Sequence, residues 1–261
     1  MRILSFILDI ILAGYLGWEV FQFSGRYRQL KQEVANGDTR ARLRIYYRAL
    51  VFEWMSALLA LLALGFDWNK LNPKSLALDG SNLMRQLLPN GSFDRGAATG
   101  IFVGLALGTA GFIVARLRAN RRAANAPAAP ASAPWWRKLL PDFSALLPVT
   151  AHERMVWAAV AVSAGICEEV VFRGWLLATL HGPLGLRGTA LIAVAAAAFG
   201  LAHAYQRIAG VLLTSLAGAL FCVLYVATGS LLVPILLHIL VDLRFALLPA
   251  SRAQKPQTSY A

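Results

Sequence analysis

Long apolar runs separated by polar breaks set the pattern of this chain. They fall at 3–23, 46–66, 97–115, 155–180, 189–205, 208–228 and 231–248. Each approaches or reaches the roughly 18–20 residues that a helix needs to cross a bilayer. The pattern therefore predicts an all-α fold, a polytopic transmembrane helix bundle of about seven to eight spans. The start, MRILSFILDIILAGYLGW, has the charged and apolar regions of a signal peptide. It lacks a small-x-small cleavage site before a polar mature chain, so it reads as a retained first span.

Two connections are long. Residues 67–95 have mixed polarity and accommodate an interfacial or re-entrant piece. Residues 116–154 contain APAAPASAP, too poor in large apolar side chains to pack a core, which reads as a flexible linker. WWRKLLPDFSALLP follows, with the aromatic, basic and leucine content of a helix lying at the membrane surface. The chain thus divides into an N-terminal three-span region with a long loop (1–118), a linker and interfacial segment (119–142), a four-span region (143–250) and a tail (251–261). No internal repeat is visible.

Composition agrees: the 261 residues are 58% hydrophobic and 15% charged, outside the usual soluble balance. The net charge of +12 raises the question of nucleic acid. The cations instead sit between apolar runs: Arg26, Arg28, Lys31, Arg40, Arg42, Arg44 and Arg48, then Arg116, Arg118, Arg121, Arg122, Arg137 and Lys138. Cytoplasmic loops of membrane proteins are enriched in this way, so the excess reads as topology and nucleic-acid binding is not expected. The loops after the first and third spans are then cytoplasmic, the N-terminus outside and the C-terminal tail inside. Cys167 and Cys222, both in apolar runs, read as core residues without a disulfide.

Ionisable residues within apolar runs are costly and are functional candidates by default. Glu168, Glu169, Arg173, His203, His238 and Asp242 all fall after the linker. Asp9, Glu19 and Glu53 are scattered nearer the ends of the N-terminal runs, where side chains snorkel more cheaply. In GICEEVVFRGW, Glu169 and Arg173 are four apart and share a helix face. Glu168 points roughly 140° away from Arg173. Arg173 neutralises Glu169 and braces it, while Glu168 stays unpaired within its own helix and suits a general base. A lone Glu–Arg pair of this kind is more often structural, holding helices together.

Two further motifs change the weighing. In FGLAH, Phe199 and His203 share a face, and in HILVD, His238 and Asp242 do the same. Together with Glu168 they supply a base, its partner and donors for a developing oxyanion, the parts of a hydrolytic site. Metal is the competing use: Glu168, His203 and His238 are a two-His, one-carboxylate zinc set. No HExxH occurs and no spacing is specific for metal, so both forms of hydrolysis stay open, with no cofactor expected.

EEVVFR fits EExxxR, FGLAH fits FxxxH and HILVD fits Hxxx(N/D), in that order on successive helices. In this the chain resembles the CAAX-processing and bacteriocin-processing (CPBP) intramembrane proteases, relatives of the type II CAAX prenyl proteases. The similarity is strongest over 147–248 and includes SLLVPILLH. The resemblance implies glutamate-dependent hydrolysis of a peptide bond in a peptide or membrane-anchored protein, within a lipid bilayer, here a bacterial plasma membrane. Glu168, with His203, would activate water; His238 and Asp242 would stabilise the oxyanion; Glu169, Arg173 and Phe199 would brace the site. Asp242 stands where many members carry Asn. An ionised Asp cannot donate to an oxyanion, so it either enters protonated or orients His238. The rivals are a catalytically silent immunity or scaffolding protein and, more weakly, a transporter with a proton relay.

Overall fold

The computed structural model describes residues 2–73 and 143–247. The expected 97–115 span, the APAAPASAP linker, most of the interfacial segment and the 251–261 tail lie outside the described residues. Within them every regular element is helical. The helices are α1 (Arg2–Ala35), α2 (Ala41–Ala63), α3 (Ala151–His181), α4 (Gly188–Ala202), α5 (Arg207–Thr228) and α6 (Leu232–Ala246).

The first helix does not stop where hydrophobicity does. Its 34 residues, about 51 Å at helical rise, carry it through Arg26, Arg28 and Lys31 to Ala35. It ends where Gly37 takes φ +84. There the Asp38 N–H reaches the Glu33 carbonyl at 3.0 Å and the Gly37 N–H reaches Val34 at 3.2 Å, a Schellman closure. Asp38 then accepts from the Arg40 N–H and from Arg44, whose guanidinium chiefly holds that carboxyl below its ordinary range. The second helix consequently starts at Ala41, five residues before its apolar run.

Thr150 opens α3 with a capping box: its hydroxyl accepts from the Glu153 N–H at 3.1 Å, and Glu153 accepts from the Thr150 N–H at 2.9 Å. The same Glu153 is buried beside Arg42 at 3.6 Å, and Arg42 Nε donates to the Ala145 carbonyl at 2.9 Å. Tyr46 donates to the Leu146 carbonyl. These contacts fasten the start of α2 to the entry of α3.

Among the described residues four helices are long and apolar enough to cross a membrane: Ile3–Ala35, Ala41–Ala63, Ala151–His181 and Ala204–Thr228. Against the about seven to eight spans expected, α4 and α6 have 15 residues each, short of the roughly 20 a spanning helix needs. Outward faces are apolar, with Ile3, Phe6, Trp18 and Phe21 on α1 and Leu212 and Leu216 on α5 exposed, as a lipid-facing surface requires. Inward, α1 packs on α2, α2 on α3, α3 on α6 and α4 on α5. Glycines permit the tightest approaches. A Cβ on Gly165 would strike Ile239 of α6, and one on Gly200 would strike Ser215 of α5.

Candidate active site

Four helices meet at one buried ion pair. Where the α-helical part of α3 ends at Glu169, the backbone continues in π form from Val170 to Leu176, carrying Arg173. Glu169 is 0% and Arg173 1% exposed, and Arg173 Nη1 lies 3.0 Å from Glu169 Oε1. The guanidinium also donates from Nη2 to the Gly218 carbonyl of α5 at 3.1 Å and lies 4.5 Å from the Phe199 ring centroid on α4. From α6, His238 Nδ1 reaches the same Glu169 oxygen at 2.9 Å. A carboxylate oxygen only accepts, so Nδ1 carries the proton.

That contact turns the other nitrogen of His238 toward the remaining acids. Nε2 stands 3.9 Å from Glu168 Oε2 and 3.7 Å from Asp242 Oδ2, ion-pair distances too long for direct hydrogen bonds. Phe199 lies edge-on to His238 at 5.9 Å and against His203 at 5.0 Å. His203 sits just past the end of α4, with Nδ1 2.9 Å from the Phe199 carbonyl. Nδ1 is therefore its donor, and in the neutral ring Nε2 keeps a free lone pair.

Glu168, His203 and Asp242 line a cavity of about 500 Å³ whose other walls come from α1 and α2. Glu169, Arg173 and His238 are not part of that lining; they stand behind it. All seven residues singled out by the sequence thus gather in one region. Glu168 and His203 share the cavity without an ion pair between them. The alternative metal set is not assembled: among the described residues no group of three or more His, Cys, Asp or Glu is placed to hold a metal ion.

Glu53 escaped the reading of the sequence. Because α2 begins at Ala41, Glu53 falls midway along it rather than near an end, and is 7% exposed on the cavity wall. Its signal was a carboxylate inside an apolar run. The other N-terminal acids are satisfied locally: Asp9 accepts from Trp175 Nε1 at 2.7 Å, and Glu19 pairs with Arg26 and, at 3.7 Å, with Arg48.

Among the described residues the regular structure is all helical, with four helices of spanning length and a buried polar cluster, which makes this an integral membrane protein. Residues 150–244 match the family described as type II CAAX prenyl endopeptidase Rce1-like, a similarity that covers about a third of the chain. The matched region covers all three motifs and is similar to a protease family. No curated protein and no solved structure matches the chain.

Proposed function

We propose that the protein is an intramembrane endopeptidase that hydrolyses a peptide bond of a membrane-associated protein or peptide with water activated by Glu168. One observation carries this reading: the adjacent carboxylates have different fates. Glu169 is fully buried with its Oε1 bound to Arg173 and His238, whereas Glu168 lines the cavity; the Oε2 of each has no hydrogen-bond partner among the described residues. A structural cluster has no use for the second carboxylate.

In the reaction, Glu168 takes a proton from water as the water oxygen bonds to the scissile carbonyl carbon. His203, with its Nε2 lone pair, helps to orient that water. The carbonyl oxygen becomes an oxyanion, which a doubly protonated His238 stabilises through Nε2–H while Nδ1–H stays on Glu169. The placement of Asp242 beside Nε2 favours the orienting role over donation. Collapse breaks the C–N bond, and the proton held by Glu168 passes to the leaving amine. Residues 143–250 are the catalytic region of this proposal. The 1–118 region adds one cavity wall, 119–142 links the two and 251–261 is the cytoplasmic tail, with the N-terminus outside.

Purified protein and a peptide library test this. Glu168→Gln should lower cleavage about a hundredfold or more while leaving the thermal midpoint near wild type. Full activity in that variant removes Glu168 from the role. Absence of cleavage by the wild type, with the fold intact, favours the silent immunity or scaffolding reading.

A further inference from the structure

Four carboxylates line the cavity, which is otherwise largely apolar; Glu19 is paired with Arg26, and the other three are Glu53, Glu168 and Asp242. Glu168 comes from α3, Asp242 from α6 and Glu53 from α2. Glu53 Oε2 is buried with no hydrogen-bond partner among the described residues. Glu168, Asp242 and the Cys167 thiol line the same cavity as Glu53. Arg48, the lysine- or arginine-type residue in the lining, sits toward Glu19 at 3.7 Å with its side chain 53% exposed. Among the described residues Glu53 forms no ion pair with a Lys or Arg.

A desolvated carboxylate without a counter-charge is costly, and a cation placed against it removes much of that cost. Among the described residues nothing provides this cation to Glu53. A substrate can. Leu16 and Val20 of α1 and Phe52 of α2 form the apolar wall beside Glu53. An apolar surface adjoining an acidic one matches a membrane-anchored segment, in which Lys and Arg flank the apolar stretch.

We infer that Glu53 is a specificity-determining residue, which receives a Lys or Arg side chain beside the scissile bond of an apolar substrate segment. The inference rests on the protease reading and adds its substrate class. Glu53 binds the basic side chain while Glu168 acts on water, so the two carboxylates make separable contributions.

The test uses the full-length protein and peptides identical except at one position near the cleaved bond: Lys, norleucine or Glu. Wild type should favour the Lys peptide in kcat/KM by about tenfold or more, a typical contribution of one desolvated charge pair. Glu53→Gln should bring the Lys-to-norleucine ratio close to one, mainly through KM, and Glu53→Lys should invert preference toward the Glu peptide. A merely structural role would lower all peptides alike and leave the ratio unchanged, which overturns the inference, as does a wild type with no preference. Equilibrium binding of the same peptides separates the two readings. Basic-peptide binding that Glu53→Gln abolishes, without turnover by wild type, sinks the protease reading and keeps the Glu53 contact. Neither turnover nor selective binding overturns both.

Discussion

Glu169 accepts from Arg173 and His238 at once, so removing either partner leaves a buried charge behind. Arg173→Ala should therefore destabilise the protein by about 3–5 kcal/mol, read as a lowered unfolding midpoint in detergent. Arg173→Lys should recover only part of this, because an ammonium cannot reproduce the fork to Glu169 and Gly218 or the face over Phe199. Equal stability of Arg173→Ala and wild type would show that the pair is not a brace. Glu168 differs in kind, since its variants should lose turnover and keep stability. The pairing of Glu169 with Arg173 and the separate direction of Glu168 were legible from a one-residue offset on a helix. The role of Glu53 was not, because its depth depends on where α2 begins, and the Asp38 turn decides that.

At the scale of elements, helix ends and helix approaches place these side chains. The Thr150 capping box starts α3 a few residues before its apolar run. Thr150→Ala should cost about 1 kcal/mol in an equilibrium unfolding measurement. Gly165 matters more for chemistry, because it lets α6 approach α3 and so brings His238 to Glu169. Gly165→Val should drive the two helices apart, cost about 1–3 kcal/mol from overpacking and reduce cleavage by tenfold or more. Retained cleavage would mean the His238–Glu169 contact is dispensable. The π-helical stretch after Glu169 could not be read from hydrophobic periodicity, which is nearly the same for a single wide turn.

Across the whole molecule, the cavity belongs to both ends of the chain. The motif-bearing helices supply Glu168, His203 and Asp242; α1 and α2 close the cavity opposite them. Exhaustive chelation of the purified protein should leave cleavage unchanged under the water-only mechanism. Loss on chelation with recovery on added zinc would move the reading to the metal form. The sequence by itself determined the all-helical membrane class, because unpaired backbone polar groups are excluded from lipid and apolar runs must become helices. It also determined the separate fates of Glu168 and Glu169, since neighbouring residues on a helix point in different directions. Tertiary structure alone decided that two histidines, an aspartate and a glutamate far apart in the chain meet, and that Glu53 joins them. Those contacts arise from helix packing, and small residues such as Gly165 and Gly200 set how closely the helices can come.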